Sequence, residues 1–155
     1  MPTAKPKKPR VDGQITGLAG EFYVAAELLK RDILASITFG SAKAIDILAY
    51  NPRTRRTISV QVKATRQMNV FPIAHSRVEA VHIYVFVVLN PPGTPPRFFV
   101  VPGQVLVNEP ERFSKWFKDP KFPGFSVKYV LPFEDEWKHF EEHLGAVYHL
   151  AGADA

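Results

Sequence analysis

Apolar and polar positions alternate with three different rhythms along the chain, helical at the start, strand-like through the middle and helical again towards the end. From Gly13 to Asp32, Leu18, Phe22, Ala25, Ala26 and Leu29 recur at spacings of three and four, the period that places side chains on one face of an α-helix. The stretch Ala-Ala-Glu-Leu-Leu-Lys within it consists of strong helix formers. Gly17 and Gly20 interrupt it, each at roughly 1 kcal/mol relative to alanine, which suggests close approach of another group to the first turns. A packed neighbour and a bound phosphate or metal would both require that space.

A period of two follows. Ser36 to Phe39, Ala44 to Tyr50 and Thr57 to Ala64 read as strands, and the polar Asn51-Pro52-Arg53-Thr54-Arg55-Arg56 between the last two predicts an antiparallel hairpin. Val81 to Leu89 is almost continuously apolar and β-branched, the composition of a central strand covered on both faces. Pro91 to Pro96 excludes regular structure, and Arg97 to Val101 resumes as a strand, completing a meander of about five. Pro110 to Asp119 reads as a helix with Phe113, Trp116 and Phe117 on one side, and Phe125 to Leu131 as a short strand or irregular. A final helix from about Phe133 to Leu144 gathers Trp137, Phe140 and Leu144. Trp116, Phe117, Trp137 and Phe140 read as core aromatics rather than base-stacking platforms. No repeat or interdomain linker is visible, so one α+β domain is expected over residues 13–150.

Composition narrows the class. A chain of 155 residues, 46% hydrophobic and 23% charged, is a globular protein of one-domain size. The lack of cysteine excludes disulfides, thiolate zinc sites, iron–sulfur clusters and a cysteine nucleophile. No apolar run is long enough to cross a membrane, and the N-terminus has no signal-peptide h-region, so a cytoplasmic protein is expected. The net charge of +5 is unevenly placed. Lys5, Lys7, Lys8 and Arg10 form a basic arm, expected to be flexible, within residues 1–12. Lys43, Arg53, Arg55, Arg56, Lys63 and Arg66 face only Asp46 in the segment 43–66, whereas the chain from Glu134 onwards is acidic.

That basic segment encloses the candidate chemistry. Asp46 is embedded in Ala-Ile-Asp-Ile-Leu-Ala, and Gln61 and Lys63 in Val-Gln-Val-Lys. Two residues apart on a strand, Gln61 and Lys63 point to one face, and hairpin pairing sets Asp46 beside them. A carboxylate and an amide oxygen suit a hard divalent cation such as Mg²⁺, and an adjacent ammonium can orient water and offset charge on phosphorus. A cross-strand Asp–Lys ion pair would give the same spacing.

The helix Gly-Leu-Ala-Gly-Glu-Phe-Tyr-Val-Ala-Ala-Glu-Leu-Leu, then Asp46 in an apolar strand, then Gln61-Val62-Lys63 on the next, resembles the PD-(D/E)xK nuclease superfamily over about residues 13–101. The resemblance implies a restriction-endonuclease-like core of the three-layer α/β type, with a mixed sheet, an N-terminal helix and C-terminal helices. It implies Mg²⁺- or Mn²⁺-dependent endonucleolytic cleavage of phosphodiester bonds in DNA, with RNA as the other candidate substrate. By resemblance, Asp46, Gln61 and Glu21 bind the metal, Lys63 activates the water, and Glu21 completes the acidic set. Gln61 stands where an acid is commonest, a variant resembling the Mrr-like restriction branch and a core like that of Holliday junction resolvases. Ile45 stands where proline often precedes the aspartate. A catalytically silent module binding nucleic acid or protein is the alternative.

Arg53, Arg55 and Arg56 at the hairpin tip, with Arg66 and Lys43, are the expected phosphate-gripping residues. Thr16 is expected to cap the first helix. His139 and His143, four apart among acids, read as helix surface. Nucleases that cut both strands commonly dimerise, and the aromatic face of the last helix offers a surface for a homodimer.

Overall fold

In the computed structural model, which describes residues 13–39 and 45–146, the first helix (α1, Gly13–Leu29) buries a face rotated from the one its largest apolar residues mark. Gly20, Glu21, Val24, Ala25 and Leu28 turn inward, while Leu18, Phe22 and Leu29 of the expected apolar face are 40%, 55% and 50% exposed. A Cβ on Gly20 would stand 2.6 Å from the Cβ of Ala64, so the glycine serves close packing of helix on sheet. Nothing among the described residues explains Gly17.

The sheet contains β1 (Leu34–Ile37), β2 (Ile47–Asn51), β3 (Arg56–Thr65), β5 (Ile83–Val88) and β6 (Arg97–Pro102) in the order β1-β2-β3-β5-β6. Neighbours are antiparallel except β3 and β5, which pair in parallel with Gln61 opposite Tyr84 and Lys63 opposite Phe86. The sheet is therefore mixed, not a simple meander. Parallel neighbours require a crossover, and residues 66–82 supply it with β4 (Val70–Pro72) and a 3₁₀ turn at His75–Arg77. The strand β4 pairs with β7 (Gly124–Ser126) as a small second sheet, which the sequence pattern did not predict.

Every residue of β5 is buried, as its unbroken apolar run requires. Ile83, Val85 and Val87 join Ile58, Val60 and Val62 against α1 and the last helix (α3, Lys138–Leu144). Tyr84, Phe86 and Val88 face the other way, onto a layer of Phe71, Phe113, Phe117, Phe125 and Phe133. That aromatic layer is carried by short elements rather than by the predicted helix at 110–119. A helix at Gly103–Asn108 (α2) precedes two 3₁₀ turns, Pro110–Arg112 and Lys115–Lys118, separated where the Ser114 hydroxyl accepts the Trp116 N–H. The break abandons α-helical phasing: Phe113 and Phe117 are buried, but Trp116 is 55% exposed. Likewise α3 is shorter than predicted, beginning after a 3₁₀ turn at Leu131–Phe133. Trp137, Phe140 and Leu144 are buried in the core, so they offer no dimer surface.

The hairpin tip secures α3. Asn51, fully buried, donates from Nδ2 to the carbonyls of Leu144 at 3.0 Å and Gly145 at 3.1 Å, and its Oδ1 accepts the Arg53 N–H. Helix C-terminal carbonyls need such partners. Replacing Asn51 with leucine should therefore lower stability by about 1–3 kcal/mol, read as a shift of the denaturant midpoint with an unchanged slope.

Arg97 holds Glu134 through two 2.7 Å hydrogen bonds, which pull the glutamate below its ordinary value. A carboxylate so lowered contributes stability above its unfolded value, about 4.3, and loses it as pH falls through the folded value. Both side chains are more than a third exposed, which limits the effect to about 1 kcal/mol or less. Arg97→Met should flatten the stability profile on that acid limb, as measured by chemical denaturation across pH.

Candidate active site

Asp46 lies where β2 and β3 part. Regular pairing ends at Ile47 opposite Val60. Beyond it the Asp46 N–H donates to the Val60 carbonyl at 3.1 Å, and Asp46 Oδ2 accepts the Val62 N–H at 2.8 Å. A carboxylate thus takes the place of a backbone carbonyl in the ladder. From the β1 side, the Thr38 N–H donates to the Asp46 carbonyl at 2.9 Å, fixing the residue between two strands.

Val62 separates Gln61 from Lys63, so the carboxylate is held on the backbone between them. Strand alternation turns Val60 and Val62 towards α1 and sends Gln61 and Lys63 to the opposite face. There both half-buried side chains line a cleft of about 1180 Å³, with Tyr84 and His82 beside them and the segments 70–79 and 117–123 as its walls.

The remaining sequence-derived candidates do not gather at this point. Glu21 is buried on the sheet-facing side of α1, across the sheet from Gln61 and Lys63. Arg66 donates from Nε to the Thr16 hydroxyl at 3.0 Å, tying the end of β3 to α1, so Thr16 serves there as an acceptor within the helix rather than as its cap. Arg53, Arg55 and Arg56 lie at the far end of the hairpin, where Arg53 donates to the Ala146 carbonyl. Seven residues of strand between Arg56 and Lys63 amount to about 23 Å, so the tip does not flank the site. The hairpin strands are long, and their tip is occupied by α3. Lys43 and the 1–12 arm lie outside the described residues. His139 and His143 engage Glu142 and the His139 carbonyl on α3.

The structure adds two residues that the sequence reading absorbed into a buried strand. The Tyr84 hydroxyl accepts the Glu79 N–H at 3.0 Å, and burial pushes its pKa up. The Glu79 N–H opposes that rise, while the carboxylates of Glu79 and Asp46 add to it, so Tyr84 remains a neutral phenol with a proton to donate. His82, also buried, has Nε2 2.7 Å from a Glu79 oxygen, an ion-pair contact out of line for a hydrogen bond. Polar tips at alternate positions of an otherwise apolar run were the available signal.

Among the described residues no three histidines or acids cluster as a metal site. Gln61 brings an amide, not a second carboxylate, to the strand beside Asp46. Asp46 and Gln61 carry hard oxygen donors on neighbouring strands, a donor set that fits an Mg²⁺-sized cation, which takes one or two carboxylates and keeps several waters.

No protein-family model matches the chain, and no curated protein matches it. Among solved structures it is similar to a bacterial homing endonuclease, with a TM-score of 0.57 and 14% identity over 84% of this chain and 92% of that one. It is also similar to Hjc, a Holliday junction resolvase of the archaeal hyperthermophile Archaeoglobus fulgidus, with a TM-score of 0.51 and 17% identity over 83% and 97% of the two chains. No helix among the described residues is long and apolar enough to cross a membrane. With an aspartate at the parting of the hairpin strands and such structural neighbours, the chain has the restriction-endonuclease-like fold of the PD-(D/E)xK nucleases.

Proposed function

We propose that this protein is a divalent-metal-dependent endonuclease that hydrolyses phosphodiester bonds in DNA. The observation that carries the reading is the Asp46 carboxylate held on the β3 backbone at Val62, between Gln61 and Lys63, which both line a cleft. In this reading Asp46 and Gln61 hold Mg²⁺ or Mn²⁺, and Glu21, buried on the other face of the sheet, supplies no ligand. The cation, when bound, supplies Lewis acidity and a water of lowered pKa. Lys63 orients the attacking water and offsets charge that develops on the phosphoryl oxygens. Tyr84 donates its hydroxyl proton to a phosphate oxygen in the cleft. Arg66 and Lys63 contact the backbone near the site, and the arginines of the hairpin tip reach only distant phosphates.

The loss of one carboxylate at Gln61 favours a second reading, a module of the same fold that binds DNA without cutting it. Cleavage of plasmid and branched DNA in Mg²⁺ or Mn²⁺ separates the two. Lys63→Ala and Asp46→Asn should each reduce the rate by at least about 10²-fold. Asparagine retains an acceptor for the Val62 N–H, so the Asp46→Asn protein should melt close to wild type, whereas Asp46→Ala leaves that N–H unsatisfied and costs about 1 kcal/mol or more. Gln61→Glu restores a charge and should lower the metal concentration needed for half-maximal cleavage. Cleavage indifferent to both Asp46→Asn and Lys63→Ala would falsify the assignment, and binding with no cleavage in either metal would favour the silent module.

A further inference from the structure

Across the cleft from Gln61 and Lys63 stands the turn 119–123, and at its tip Phe122 is 84% exposed. The turn is built to hold that ring outward. Asp119 Oδ1 accepts the N–H groups of Lys121 at 2.9 Å and Phe122 at 2.7 Å, the local bonding of an Asx turn. Those two bonds also lower the Asp119 pKa, so the carboxylate stays ionised and the turn stays closed through the neutral range. Pro120 and Pro123 fix φ on either side, the Pro123 carbonyl accepts the Ile73 N–H at 3.2 Å, and fully buried Phe117 anchors the preceding turn. Phe122 therefore cannot fold back onto the aromatic layer beneath it without breaking this turn.

The charges around the ring suit a polyanion. Lys63, Arg77, Lys118 and Lys121 line the same cleft, and among the described residues none of them has an acidic partner. Of the two acids of the lining, Asp119 accepts backbone N–H groups, and Glu79 lies 2.7 Å from His82 Nε2. An apolar protein surface would match the ring but not the cations. A nucleic-acid strand offers both anionic phosphates and flat π faces, and base–aromatic stacking tolerates any base. Duplex DNA keeps those faces stacked within the helix, so only an unpaired nucleotide can meet an exposed phenyl ring. A cleft of about 1180 Å³ exceeds the roughly 300–1,000 Å³ of small-molecule pockets and leaves room for a segment of strand.

We propose that Phe122 is a stacking platform for an unpaired base of DNA, the backbone of which crosses the cleft along Lys118, Lys121 and Lys63 towards Asp46. The preferred substrate is then DNA carrying single-stranded or unpaired nucleotides rather than continuous duplex. This rests on the nuclease reading for the location of the scissile bond, but the binding preference can be measured without cleavage.

The test uses the full chain in a chelating buffer, titrated with a short duplex and with the same duplex bearing a single-stranded extension that contains 2-aminopurine. Wild type should bind the extended DNA more tightly and quench the 2-aminopurine on stacking. Phe122→Ala should weaken binding of the extended DNA by roughly 5- to 100-fold and abolish the quench while leaving duplex binding unchanged. Phe122→Trp should preserve both signals. Trp116→Ala removes an exposed ring outside the cleft lining and should change neither. The inference is overturned if Phe122→Ala binds both DNAs as wild type does, or weakens both equally. It is also overturned if the substitution changes only self-association in sedimentation. The nuclease reading fails separately if wild type shows the Phe122-dependent preference yet cuts nothing in Mg²⁺ or Mn²⁺.

Discussion

One hydrogen bond organises the end of the sheet where β2 and β3 part, the acceptance of the Val62 N–H by Asp46 Oδ2. Where two strands part, the next backbone donor would be left without its ladder partner, and an unsatisfied donor away from water is costly. A side-chain carboxylate supplies the acceptor. The strands can then diverge, and the divergence exposes Gln61 and Lys63 to a cleft instead of burying them under a continuing ladder. The Asp46 charge is held by a bond that the fold needs.

The sheet gives its two faces opposite kinds of cover. On one, α1 approaches through Gly20, Ala25 and neighbouring small side chains, close enough that Gly20 abuts Ala64. On the other, large rings carried by β4, β7 and the 3₁₀ turns with their flanking residues build a thicker aromatic layer over β5 and β6. That layer stops short of Gln61 and Lys63, and its edge forms the far wall of the cleft. The irregular second half of the chain is thus the part that shapes what can reach the site. The acidic residues of the C-terminal region are partly spent in the same architecture: Glu134 is locked to Arg97, and Glu142 pairs with His139 on α3.

Charge carries the functional argument only when it is localised. The overall +5 is small for a chain of 155 residues. Three arginines of the most basic segment sit at a hairpin tip that caps α3, far from Asp46, whereas Lys118 and Lys121 come to the cleft from a separate basic stretch, 112–128, where Arg112, Lys115, Lys118, Lys121 and Lys128 face only Asp119 in sequence. Gln61 brings an amide rather than a second carboxylate to the strand beside Asp46, so the negative charge there is that of Asp46. Tyr84 joins that group across the β3–β5 pairing, a neighbour invisible to any reading of adjacent strands in chain order.

Sequence periodicity by itself determined the helix at the start, the hairpin, the central strand and the order Glu21, Asp46, Gln61, Lys63, because these depend on local spacing and on burial along a regular element. It also placed Gln61 and Lys63 on one face, since strand alternation is a backbone property. It misassigned the buried face of α1, the helix at 110–119 and the partners of the hairpin arginines. In each case the outcome depended on contacts distant in sequence: Gly20 against Ala64, Phe113 and Phe117 against the far face of β5, and Asn51 with Arg53 on the end of α3. Tertiary structure alone decided that β3 and β5 run parallel, that Tyr84 and His82 open onto the cleft, and that Phe122 lines the same cleft as Lys63. A spacing rule can state which way a side chain points from its own element, but what waits there is set by the packing of the whole chain.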